Sequence, residues 1–162
     1  MHIWFRRGQL VGRTDVALQL SPLLNLRPAN GQVLKIATLA DGEDVDYCEL
    51  LVDPDADDAA PHWTGRVIML TRTRVIDARL KVGPSAGRTT AAVWSRQTLK
   101  GIDLSGNDEL WEDATTGIPT GAQVALHYPH RDPLRLPLDP TAEKYARQLE
   151  KILPSLFENL SR

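Results

Sequence analysis

The sequence predicts an α+β fold: an antiparallel β-sheet or partly closed barrel capped by a C-terminal amphipathic helix. Two observations carry this. Several short apolar runs alternate with a period of two between polar turns, and a single long stripe of helical period closes the chain. A length of 162 residues fits a single domain that buries a core without disulfides. Its 42 % hydrophobic and 25 % charged residues are globular values that exclude disorder across the whole chain.

Taken in order, residues 9–31 are Leu-rich but punctuated by Pro22, Pro28 and Asn30-Gly31, and no regular element is assigned there. Residues 33–39 and 45–52 flank Asp41-Gly42-Glu43-Asp44, whose glycine suits a tight hairpin, so the two read as an antiparallel pair. Residues 53–65 and 105–121, dense in Asp, Pro, Gly and Thr, read as exposed loops. Residues 67–70 form a buried strand. Residues 75–80 form the next one, with Ile76, Ala78 and Leu80 on one face. A strand over 89–96 and a shorter one over 99–104 follow. Val124, Leu126 and Tyr128 then alternate with polar or small neighbours, and Leu134, Leu136 and Leu138 answer them after a turn, which is a hairpin pattern. Pro137 cannot donate to a ladder, so its strand has a free edge.

The last element begins at Asp139, a capping residue, followed by Pro140 at the first helical position. Ala142, Tyr145, Ala146, Leu149, Ile152, Leu153, Leu156, Phe157 and Leu160 mark its buried face. Pro154 removes a hydrogen bond and clashes with the preceding turn, so a kink or break is expected there and regular helix only to about Leu153.

The run Val67-Ile68-Met69-Leu70-Thr71-Arg72-Thr73-Arg74-Val75-Ile76 resembles the strand–turn–strand of bacterial pleckstrin-homology-like and GRAM-like domains. The segment Trp94-Ser95-Arg96-Gln97-Thr98-Leu99-Lys100-Gly101-Ile102 and the closing strand and helix, 134–153, are similar to later parts of the same domains. The likeness covers residues 66–153; residues 1–65 are expected to supply N-terminal strands and an acidic loop. Arg72 departs from the pattern, since those domains commonly carry Asp or Asn in that turn. The resemblance implies a non-catalytic binding module, an adaptor or regulatory subunit acting through contact with another protein. A peripheral module for phosphoinositide or other anionic lipid headgroups is the competing class, and an enzyme comes third.

Charge is unevenly distributed around a net of −2: residues 41–60 carry nine acidic and no basic residues, whereas 61–105 carry eight basic and two acidic. A near-neutral total gives no surplus for phosphate-backbone binding, so no nucleic-acid partner is expected. Opposite blocks on adjacent segments attract, and the basic stretch 66–100 is expected to be partly neutralised by the acidic stretch 41–58. The N-terminus lacks the apolar core of a secretory signal, and no run reaches the roughly 18–20 apolar residues of a membrane span, so a cytoplasmic location is expected.

Arg79, Lys81 and Arg88 surround the glycine-containing loop Val82-Gly83-Pro84-Ser85-Ala86-Gly87 and are the candidates for binding a phosphate or other anionic ligand. In lipid-binding pleckstrin-homology domains a comparable loop grips phosphates with Lys and spaced Arg residues; Thr90 stands here where a further Arg is expected. Solvated cations on strand ends are the alternative reading. Trp63 and Trp111 lie in polar segments and are the candidate anchors for a protein partner. His127 and His130 form H-x-x-H with Pro129 between them, a context of strand and turn that does not fix the two imidazoles on one ion, and no metal or other cofactor is expected. Asp53-Pro54-Asp55-Ala56-Asp57-Asp58 starts like a calcium loop, but Asp58 replaces the required Gly and Thr64 the closing Glu. His62 is isolated, no catalytic residues are assigned, and Cys48 among carboxylates reads as an inert thiol.

Overall fold

The computed structural model describes residues 5–6, 9–10, 32, 35–36, 38–52, 63–82, 88–106, 108–112 and 117–160. The chain divides into two compact units, 1–94 and 95–162.

In the first unit, β1 (Phe5–Arg6) and β2 (Gln9–Leu10) form a short antiparallel pair. The main sheet has the order β3-β4-β5-β6, with β3 at Val45–Val52, β4 at Trp63–Thr71, β5 at Arg74–Val82 and β6 at Arg88–Ser95. The β4–β5 hairpin turns at Arg72-Thr73 and sets Met69 opposite Ile76, Val67 opposite Ala78 and Gly65 opposite Leu80. On β3, Cys48 meets Met69 and Leu50 meets Val67. Because side chains alternate along a strand, these in-register residues share one face. That face forms a core cluster with Ile36, Ala40 and Val45.

The described residues of the 33–39 segment correct the hairpin expected there: Lys35, Ile36, Thr38 and Leu39 are helical, as is Gln32 before them. Ile36, Leu39 and Ala40 recur at the three-to-four spacing of a helix face and pack on the core cluster. Asp41 and Gly42, at φ of 53° and 75°, end this helix, with the Asp41 N–H on the Thr38 carbonyl and the Glu43 N–H on the Ala40 carbonyl. Positive φ serves a hairpin turn and a helix terminus alike, and the local sequence does not distinguish them. The partner of β3 is therefore β4.

The second unit starts with a single 3-10 turn at Arg96–Thr98, capped by the Ser95 side chain. The three-stranded sheet has the order β7-β8-β9, with β7 at Gly101–Ser105, β8 at Gln123–His127 and β9 at Leu134–Leu136. β8 and β9 form the expected hairpin, with Val124 opposite Leu136 and Leu126 opposite Leu134. β9 is an edge strand, as Pro137 requires, and the Pro137 carbonyl accepts a hydrogen bond from Gln123 Nε2 at 2.7 Å. The segment read as a 105–121 loop contains a short helix, α1, at Asp108–Glu112. Its acidic first turn complements the helix dipole.

The C-terminal helix, α2, runs over Glu143–Leu160 and buries Tyr145, Ala146, Leu149, Ile152 and Leu156 of the predicted face, whereas Phe157 and Leu160, also expected on it, are exposed. It starts later than expected because Asp139 caps a separate turn: its carboxylate accepts from the Thr141 N–H at 3.0 Å. It also continues through Pro154. The proline removes one N–H, but Leu156 beyond it is fully buried, which stabilises by about 1.5–3 kcal/mol. Ser155 Oγ donates to the Ile152 carbonyl at 2.8 Å and accepts from Arg96 Nη2. These anchors hold the last turns in helical register. The strands thus lie in separate sheets that do not close into a barrel, and the α+β class with a C-terminal helix holds.

Candidate functional site

Opposite its core face, the four-stranded sheet presents rows of in-register residues. Tyr47, Leu70 and Val75 form the row near the β4–β5 turn, and all three are buried. Next come Glu49, Ile68 and Asp77, then Leu51, Arg66 and Arg79, and finally Thr64 with Lys81. The strand period of two thus turns a sequence alternation into a gradient along one face, from apolar and buried to cationic and exposed.

At the cationic end lies a cavity of ≈ 730 Å³. It is lined by Leu51 and Val52 from β3, Thr64, Gly65 and Arg66 from β4, Arg79, Leu80 and Lys81 from β5, and Arg88 and Thr90 from β6. The three cations singled out in the sequence therefore line one space. Among the described lining residues none is acidic.

The fourth cation, Arg66, differs from the others. Asp77 on the next strand takes its Nε at 2.9 Å and its Nη2 at 2.8 Å, a bidentate pair that, despite partial burial, holds the guanidinium above its ordinary range. Among the described residues no carboxylate stands within ion-pair distance of Arg79, Lys81 or Arg88, whose side chains are exposed. The expected neutralisation by the 41–58 stretch is met instead at the other end of the hairpin. There Arg74 Nη2 lies 2.8 Å from Asp41, and Thr73 donates its N–H and hydroxyl to Glu43. The Asp53–Asp58 part of that stretch, and His62, lie outside the described residues.

The exposed apolar residues Leu51 and Val52, 39 % and 43 % accessible, border the cations. Leu80 supplies a buried wall. Such a space accepts a ligand with an anionic part, gripped by the forked Arg donors and the Lys point charge, and an apolar part.

Of the tryptophans, Trp63 opens β4 opposite Val82 and does not belong to a loop. Trp111 sits half-buried in α1, its ring nitrogen 3.2 Å from where a side chain on Gly106 would begin. His127 lies 2.7 Å from Asp103 across the β7–β8 pair, whereas His130 occupies a turn at φ 57°. Among the described residues no three His, Cys, Asp or Glu side chains group to hold a metal. Cys48 is buried, and burial together with the charge of Glu49 pushes its thiol up to about 12.

The sequence reading missed Arg66, Asp77, Leu51 and Val52 as parts of this site. The signal for Arg66 was present: a hairpin turning at Arg72-Thr73 necessarily sets Arg66 against Arg79.

No helix among the described residues is long and apolar enough to cross a membrane. No family model matches the chain, and no curated protein matches it. Among solved structures, the hSac2 domain from the human phosphoinositide phosphatase Sac2 is similar to it at 15 % identity, over 83 % of this chain and 82 % of that one, with a TM-score of 0.38.

Proposed function

We propose that the protein is a non-catalytic binding module whose cavity takes a phosphate-bearing anion. The convergence of Arg79, Lys81 and Arg88, without carboxylate partners among the described residues, on one cavity with an apolar border supports this reading. A phosphate monoester brings about −1.5 to −2 charges and three acceptor oxygens, which suits three cations held by neighbouring strands. A headgroup of an anionic lipid and a free organic phosphate share that chemistry.

The test is calorimetric titration with pyrophosphate and with a soluble inositol trisphosphate, next to co-sedimentation with phosphatidylcholine vesicles with and without a phosphoinositide. Binding in any arm that is lost in Arg79→Ala/Lys81→Ala/Arg88→Ala supports the proposal. Binding to vesicles alone identifies a lipid source, and binding to the soluble phosphates alone a free one. If no arm binds, or the triple variant binds as well as wild type, the proposal is wrong.

A second reading, an adaptor acting through protein contact, draws support from the edge position of β6, whose outer main-chain groups suit strand addition, and from the exposure of Leu51, Val52 and Val93. A pull-down with mass spectrometry tests it: a partner that is lost on replacing Val93 with Lys supports it, and retention of that partner counts against it.

A further inference from the structure

Gln32 is 3 % exposed and helical, and stands four residues before Ile36, which packs on the core face of the sheet, opposite the cations. Its amide nitrogen donates to two main-chain carbonyls, that of Lys81 at 3.1 Å and that of Arg88 at 2.8 Å. Lys81 is the penultimate residue of β5 and Arg88 the first of β6, so one side chain ties together the ends of the two strands that carry two of the cavity's cations. Its Oε1 is buried and has no hydrogen-bond partner among the described residues. A buried amide that leaves its acceptor unmet costs stability, and an apolar side chain of similar length would avoid that cost.

We infer that Gln32 is a positioning residue for the anion site: it fixes the separation of Lys81 and Arg88 from behind the sheet, against their mutual repulsion, so that both engage one ligand. The inference rests on the anion-binding reading above. Like charges on adjacent strand ends push the ends apart, and binding without a clamp has to reverse that displacement before both cations contact the ligand. With the clamp, the site is arranged in advance.

The experiment is a double-mutant cycle on the full chain, read by calorimetric titration with pyrophosphate. Gln32→Met keeps the length and removes the donor, and Gln32→Glu places a carboxylate against the two carbonyls as a second variant. The expected result is a loss of at least about tenfold in affinity for either variant in the wild-type background, and no further loss when Lys81→Ala/Arg88→Ala is already present, where Arg79 still binds weakly. Equal losses in both backgrounds would show a general structural role and overturn the inference while leaving the anion site standing. Failure of both Gln32 variants to fold would do the same. Where wild type binds only the phosphoinositide vesicles, the same cycle is read by co-sedimentation; if it binds in no arm, the anion site and the inference fall together.

Discussion

Asp77 and Arg66 face each other diagonally across the β4–β5 pair, and the carboxylate occupies both Nε and Nη2 of the guanidinium, at 2.9 and 2.8 Å. The pair subtracts one cation from the cavity: of the four basic residues among its described lining, three are left to meet an anion. Asp77→Asn should release Arg66 and raise affinity for pyrophosphate about three- to tenfold, while lowering stability by about 1 kcal/mol, since the pair is partly exposed. Titration and urea unfolding of the same variant measure both; unchanged or weaker binding would show that Arg66 does not reach the ligand.

Glu150 on α2 accepts from the Ile118 N–H at 2.6 Å, and the same oxygen lies 2.0 Å from where a side chain on Gly117 would begin, at φ 82°. Gly117→Ala should therefore displace Glu150 and cost about 2–3 kcal/mol, the loss of a charge-assisted hydrogen bond added to left-handed strain. Glu150→Gln should cost less, because the amide oxygen still accepts. Thermal melts of the two variants rank them; equal destabilisation would contradict the steric account.

The stripe on α2 makes the C-terminal helix part of the core of the second unit. Leu149 and Leu156 are fully buried and Tyr145 and Ile152 nearly so, each contributing about 1.5–3 kcal/mol. Deleting residues 139–162 should unfold residues 95–138. Hydrogen exchange at the β7–β9 amides reads this directly, and retained protection would show the helix to be an appendage.

Burial raises the pKa of the Glu43 carboxyl, but hydrogen bonds from Thr73 and Thr71 and the charge of Arg74 outweigh it and hold the group below its ordinary range. A carboxyl depressed in the folded state stabilises above its unfolded pKa, near 4.3, and that contribution disappears as pH falls through the lower folded value. Glu43→Gln should thus narrow the gap in melting temperature between pH 6 and pH 3. A gap as wide as that of wild type would assign the acid sensitivity elsewhere.

Cys48 is sealed behind the sheet with its thiol pushed up to about 12 by burial and by Glu49. It should resist a disulfide reagent at pH 8 in native buffer and react fully in guanidinium, because only the thiolate attacks. Stoichiometric labelling of the native protein within minutes would refute this placement.

Much of the architecture was legible in the sequence, because it rests on short-range periodicity. Ile76, Ala78 and Leu80 alternate on β5, Val124 and Leu126 answer Leu134 and Leu136 across a hairpin, and Tyr145, Leu149 and Ile152 recur at helical spacing. Each pattern is fixed by backbone geometry within a few residues. The same locality misled at Asp41-Gly42, where a positive-φ pair ends a helix, and at Pro154, where one missing N–H was set above the apolar stripe that continues to Leu156 and the hydrogen bonds of Ser155 could not be foreseen. The sequence by itself also singled out Arg79, Lys81 and Arg88 as a basic group. Only the tertiary structure decided that they share a cavity with Leu51 and Val52, that Asp77 withdraws Arg66 from their number, and that Gln32, 49 residues from Lys81, reaches the strand ends from behind. Those relations depend on strand register and on packing across a sheet, which join residues far apart in the chain and leave no periodic trace in it.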